Sequence, residues 1–243
     1  EAGETDNTLV MFLSDNGIGM PFAKFSCYLH GTKTPWIVKW PGHTPRGVVD
    51  RRNFISGIDF APTICDAAGI PTMEGVNGAS FLGLVKTNNA GRPAEGRDRV
   101  FTAFYQTVSY KFNPWTEEKQ AAALAKGFID RPELPGKTGR LVKDYHMRCI
   151  QNEHFGYIFN AWANGKEEFS SGMEPSCRSA MARLEPDRLE FYLHRAPEEL
   201  YDFANDPDAR HNLAGHAECA AILAEMREGV RIWMHKYRDS RAP

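Results

Sequence analysis

Long hydrophobic runs are missing from this chain of 243 residues. No apolar stretch approaches the ~20 residues that a membrane-spanning helix needs, so no membrane crossing is expected within the segment. Charge of one sign is lacking too. The 29 basic and 31 acidic residues leave a formal net charge of -2 and are mixed along the chain. No basic stripe stands ready to neutralise a phosphate backbone, which argues against nucleic acid as a partner. Cysteine is sparse: Cys27, Cys65, Cys149, Cys177 and Cys219 lie far apart. They show neither CxxC spacing nor the density of a disulfide scaffold, so they fix no compartment and read as buried, inert thiols, with at least one unpaired within the chain. Repeats and low-complexity tracts are absent, and the polar, acidic start from Glu1 to Asn7 shows no signal peptide. What is present, 42% hydrophobic and 12% aromatic residues, suffices for a sizeable core in one large domain or two modest ones.

The continuous apolar run Leu9 to Leu13, closed by Ser14-Asp15-Asn16-Gly17, predicts a strand buried on both faces and ended by a polar turn. Trp36 to Trp40 predicts a second strand and Phe54-Ile55 a possible third. Ser56 and Asp59 offer caps to an amphipathic helix carrying Phe60, Ile64 and Ala68, which Gly69 stops. Such alternation argues for an α/β layered domain, yet two or three strands cannot build its sheet, and earlier strands are expected on a preceding segment.

The polar stretch Thr87 to Arg99 reads as a linker, placing one unit at residues 1–98 and a second at 99–243. In the second unit, Val100 to Tyr105 is extended. Tyr110 to Lys143 is a long excursion with at most one helix. Met147 to Ile150 and Phe155 to Phe159 form a hairpin around a four-residue loop, and Leu189 to Leu193 offers a further strand. Ala217 to Tyr237 carries Ala221, Leu223, Met226, Val230, Trp233 and Met234 at helical spacing, a long amphipathic helix despite Gly229.

Asp15 and Asn16 stand where a buried strand meets a turn, the edge at which α/β sheets place their ligands. A carboxylate beside an amide carbonyl supplies hard oxygen donors suited to calcium or magnesium. Asp-Asn-Gly is also an ordinary turn, and local pattern alone favours that plainer reading. The surroundings shift the balance. Ser14-Asp15-Asn16-Gly17, Phe22-Ala23-Lys24, Tyr28, Gly31-Thr32, Pro35 and Trp40-Pro41-Gly42 follow in order. Asp59 with Ala61-Pro62-Thr63-Ile64, Gly78-Ala79-Ser80-Phe81-Leu82, and finally Glu199-Leu200-Tyr201-Asp202 with Asp206-Pro207 and Asn212-Leu213 complete the series. Taken together the set resembles the sulfatase family of the alkaline-phosphatase superfamily. The short step from Asn16 to Lys24 is similar to the heparan N-sulfatase branch and related bacterial sulfatases, although some relatives carry arginine where Lys24 stands and many an acidic residue where Leu29 stands.

The resemblance implies an α/β, alkaline-phosphatase-like sandwich, of which this chain is the C-terminal part of the large domain. A smaller α+β C-terminal domain with an antiparallel sheet and a long terminal helix follows it. The implied reaction is hydrolysis of a sulfate ester or sulfamate on a sulfated carbohydrate by a formylglycine nucleophile. Asp15 and Asn16 would bind Ca2+ or Mg2+, and Lys24 would hold a sulfate oxygen as a catalytic and substrate-binding group. His30, His146 and Arg148 are candidates for the substrate cleft; an exposed turn is the competing reading for His30, and a structural ion pair bridging the two units for Arg148. The compartment implied is periplasmic, secreted or lysosomal. The activation motif, Cys or Ser followed by x-Pro-x-Arg, is missing, and Glu174-Pro175-Ser176-Cys177-Arg178 has its letters in the wrong order. Formylglycine and the paired aspartates of the metal site are therefore expected on an N-terminal segment outside this sequence, and the chain alone is expected to be inactive. A phosphonate or phosphate monoester hydrolase on the same fold, or a truncated homologue without catalysis, are the alternatives.

Overall fold

The computed structural model describes residues 3–87, 97–111, 140–169 and 173–242, without the side chains of 107–111 and 140–143. The architecture is mixed α/β. Strand β1 (Val10–Leu13) and helix α1 (Leu29–Thr32) precede strand β2 (Trp36–Lys39), and β1 and β2 pair antiparallel with Phe12 opposite Ile37. A 3-10 turn, Gly57–Asp59, leads into α2 (Phe60–Ala67), followed by the short α3 (Leu82–Val85). Four longer or more buried strands then build an antiparallel sheet in sequential order: β3 (Val100–Lys111), β4 (Arg140–Gln151), β5 (Phe155–Asn160) and β6 (Glu198–Asp202). Helices α4 (Pro175–Leu184) and α5 (Pro186–Leu193) lie between β5 and β6, and α6 (Ala220–Lys236) comes last.

The period-2 alternation of the four-stranded sheet sorts its side chains into two cores. Tyr145, Met147 and Cys149 of β4, Ile158 of β5 and Tyr201 of β6 face one cluster. It is closed by Phe22, Cys27 and Tyr28 from the segment after β1, and by Tyr192 and Leu193 of α5. Ile150, Tyr157 and Leu200 point to the opposite face, where Leu223, Met226, Val230 and Met234 of α6 cover them. The 3-4-4 spacing of those four helical residues makes one apolar stripe, as the periodicity predicts. Thus the segment between β1 and β2, which carries most of the candidate site, is one wall of the larger core.

Caps explain the start of α2. Ser56 and Asp59 form a capping box. The buried Asp59 carboxylate also accepts from the Ala79 amide at 3.0 Å and from both terminal nitrogens of Arg97 at 2.5 and 2.9 Å. It therefore ties the helix start to the Gly78–Ser80 loop and to the chain entering β3. Gly69, at φ +67°, ends the helix in the left-handed conformation that glycine adopts without strain.

Several expectations are corrected. Strand β1 is not buried on both faces: it pairs only with β2 among the described residues, and Val10 and Phe12 are 49% and 61% exposed. Phe54-Ile55 forms no strand, because it lies between the Asp50 turn, which binds the Arg52 and Asn53 amides, and the Ser56 cap. Leu189 to Leu193 is helical rather than extended. Pro186 opens that helix, and Leu189, Tyr192 and Leu193 recur at the three- and four-residue steps that bring them to one core-facing side. The β4–β5 loop has three residues, since Gln151 stays in the ladder and the Asn152 side chain accepts from the amides of His154 and Phe155. Much of the expected linker, 88–96, and the centre of the long excursion, 112–139, lie outside the described residues.

Candidate active site

The polar turn after β1 is fixed by short local bonds. Ser14 Oγ donates to the Asn16 carbonyl at 2.8 Å, and the Gly17 amide donates to Gly31 O at 3.0 Å. Only glycine fits at either end of that second bond: a Cβ on Gly17 would meet His30 O at 1.9 Å, and one on Gly31 would meet Ala23 O at 2.3 Å. The turn is thereby clamped against α1. Asp15 is exposed and Asn16 half-buried, and neither side chain has a hydrogen-bond or ion-pair partner among the described residues.

Between them and α1 the backbone folds tightly, with the Lys24 amide donating to Ile18 O at 3.0 Å. Phe22 and Phe25, on either side of Ala23-Lys24, sit at φ +62° and +64°. Left-handed backbone costs a bulky residue about 1–3 kcal/mol and persists only where the surroundings over-determine it. Those surroundings are aromatic. The Phe22 ring lies 5.1 Å from Tyr28, 5.0 Å from Tyr192 and 6.1 Å from Phe191, and the Phe25 ring lies 6.4 Å from Phe104. Two anchored phenylalanines therefore hold Lys24 outward, exposed, with its ammonium 5.5 Å from the Phe25 ring and no carboxylate partner among the described residues.

Asp15, Asn16, Lys24 and His30 belong to this one folded segment. His30 is exposed and its Nε2 lies 2.8 Å from Asp208 Oδ1, which holds the Asp208 carboxyl below the usual carboxylate range. His146 and Arg148 stand on β4 in a second cluster. Arg148 is fully buried: Nε and Nη2 donate to Asp239 at 2.5 and 3.0 Å, Nη1 donates to Met147 O, and the guanidinium lies 4.1 Å over the Tyr105 ring. The ion pair joins β4 to the chain just beyond α6. The His146 ring meets Tyr105 edge-on at 5.2 Å, and its Nδ1 is buried without a partner among the described residues. Burial, then the charges of Arg241 and Arg148, push its pKa below the ordinary histidine value. Phe25 and Phe104 link the clusters, because Phe104 supplies the carbonyl 3.4 Å from Arg148 Nη1 and the ring that Phe25 packs on.

Sequence reasoning missed the anchor beneath the segment. Glu199, fully buried, accepts from Tyr28 Oη at 2.7 Å, Tyr201 Oη at 2.6 Å and Asn160 Nδ2 at 2.5 Å. Burial, followed by the Glu199 charge, pushes the Tyr28 hydroxyl well above the ordinary tyrosine value. The available signal was the Glu-x-Tyr step in a strand, which puts both side chains on one face.

As metal donors, Asp15 and Asn16 have the right chemistry for a hard cation but supply two of the six to eight oxygens that calcium takes. Among the described residues no group of three or more His, Cys, Asp or Glu side chains could hold a metal ion. No described helix is long and apolar enough to cross a membrane.

Residues 20–117 match the family model described as N-sulphoglucosamine sulphohydrolase, C-terminal. With the strand and helix order above, this match makes the chain similar to the C-terminal region of sulfatases. The chain is 26% identical to human N-sulphoglucosamine sulphohydrolase over 98% of its own length and 44% of the relative's. It is 25% identical to an ulvan-active sulfatase of Formosa agariphila, over 98% of this chain and 34% of that one. Among solved structures, one held in complex with its substrate D-glucosamine-2-N,6-O-disulfate superposes with a TM-score of 0.58 at 20% identity, over 99% of this chain and 36% of the other. The chain thus spans less than half the length of these relatives.

Proposed function

We propose that this chain contributes one side of a metal-dependent sulfatase site that hydrolyses a sulfate ester or sulfamate on a sulfated carbohydrate. The observation that carries the reading is the clamped segment Ser14–Phe25, which presents Asp15, Asn16 and Lys24 without internal partners from a backbone strained at Phe22 and Phe25. In this reading Asp15 and Asn16 are two oxygen ligands of a calcium or magnesium ion. The bound cation supplies charge neutralisation at the anionic sulfur centre. Lys24 holds a sulfate oxygen by a charge-assisted hydrogen bond and offsets the charge that builds up during attack. His30 stands at the edge of the cleft. His146 and Arg148 serve as positioning residues, acting on the Lys24 segment through Phe104 and Phe25. The remaining metal ligands and the formylglycine nucleophile come from chain outside this sequence. The fit with sulfated-sugar sulfatases in sequence and fold supports the substrate class.

Two oxygen ligands bind weakly, so the test must detect weak binding. Titrating Mn2+ into the labelled chain and following amide line broadening should place the effect at residues 14–17, competed by calcium and absent in Asp15→Ala. Broadening scattered over other acidic residues would sink the metal assignment.

A further inference from the structure

A groove of about 390 Å3 lies between the Met20–Phe22 stretch, helix α4 and the Asp208–Arg210 turn. Its walls are apolar at Met20, Phe22, Met181 and Leu184, and its rim carries His30, Glu185, Arg188, Asp208 and Arg210. This volume falls in the range of small-molecule sites. The rim charges are unequally engaged. Asp208 already has His30 at 2.8 Å, and Glu185 has Arg210 at 3.0 Å. Arg188 has no carboxylate partner at hydrogen-bond distance among the described residues. Its Nη1 and Nη2 donate to the carbonyls of Ala209 and Asp208, each at 2.6 Å, and its guanidinium carbon lies 3.6 Å from the Phe22 ring centroid and 5.6 Å from that of Phe191. Two carbonyls and two aromatic faces orient the guanidinium without neutralising it. Of its five N–H donors, two are used by those bonds. Burial accordingly pushes its pKa below the ordinary arginine value.

We propose that this groove binds an anionic sugar unit, whose sulfate or carboxylate accepts from Arg188 and whose apolar ring face lies against Met20, Met181 and Leu184. The anionic group and the apolar face are required by the groove itself; only the choice of a sugar to carry them rests on the carbohydrate-sulfatase reading. A flat, oriented guanidinium suits either anion, since both present paired oxygens. Of the two carboxylates at the rim, Glu185 is matched by the Arg210 guanidinium and Asp208 is engaged by the His30 ring.

The test is a calorimetric titration of the full chain with glucose 6-sulfate, glucuronic acid, glucose and inorganic sulfate. At least one of the two anionic sugars should bind saturably, at least about tenfold tighter than glucose. Whichever binds more tightly identifies the anion. Arg188→Gln should weaken that binding at least about tenfold, and Ala180→Trp, which places a bulky ring on the α4 wall of the groove, should abolish it. Equal binding of glucose, equal binding of inorganic sulfate, absence of binding, or affinity unchanged in both variants would overturn the proposal. Because the Mn2+ experiment reads the 14–17 turn and this titration reads the groove, either can fail while the other stands.

Discussion

Arg148 and Asp239 illustrate how much a single buried pair can decide. Their side chains are 0% and 4% exposed, so each ion has given up hydration that the partner and a few further hydrogen bonds replace. Burial alone would raise the Asp239 carboxyl, but hydrogen bonds from Arg148, the Arg241 amide and the Tyr105 hydroxyl outweigh it and the pKa falls below the ordinary value. A carboxyl depressed in the folded state contributes stability that is present above the unfolded value of about 3.9 and is lost as pH drops through the folded value. Asp239→Ala should therefore cost about 3–5 kcal/mol in urea unfolding at neutral pH, since it strands a buried guanidinium. Its stability should also fall less steeply than that of the parent chain below about pH 4. A cost under about 1 kcal/mol would show that water reaches Arg148. Nothing near Arg148 in sequence announces this partner, which stands 91 residues away.

The segment from Gly17 to Thr32 has little regular structure, and its order comes from side chains docked on the sheet. Tyr28 is the main anchor, with its hydroxyl on Glu199, while Gln151 Nε2 donates to Thr32 Oγ1 at 2.9 Å. Tyr28→Phe removes one hydrogen bond to a charged acceptor and should cost about 1.5–3 kcal/mol. If Lys24 is positioned through this anchor, the variant should also raise amide exchange across residues 20–26 beyond the global change. Elements with a strong period were legible: α2 from its caps and Gly69, and α6 from its apolar stripe. For that stripe, Met226→Ala should cost about 2–5 kcal/mol by thermal or urea unfolding, because the side chain is 1% exposed against β4 and β5. Short apolar runs were not legible, as Leu189 to Leu193 shows, because five residues fit either period until Pro186 is counted as a helix start. The left-handed Phe22 and Phe25 carry no local signal at all. Only glycine or asparagine would have announced such a backbone, and here tertiary packing imposes it.

At the scale of the whole molecule, the two halves differ in how completely they cover their own apolar surface. The four-stranded sheet has a core on each face, whereas the β1–β2 ribbon exposes Val10, Phe12 and Ile37, the last at 60%. Phe12 and Ile37 are directly paired, so they form one contiguous apolar strip. An apolar strip beside an unpaired strand edge invites association. The alternating pattern of the second half was readable because both of its faces find cover within the described chain; the run Leu9 to Leu13 instead implied burial that this chain does not provide. Phe12→Lys distinguishes the two situations. With the side chain 61% exposed, the substitution should change the unfolding free energy of this chain by no more than about 0.5 kcal/mol, while shifting sedimentation profiles towards monomer. Grafted into a longer protein that covers the strip, the same lysine would be buried without a partner, and stability should drop by several kcal/mol, about the cost of stranding a charge in a core. A large loss in the isolated chain would show that the strip is already packed in solution. An unchanged longer protein would show that nothing covers it there.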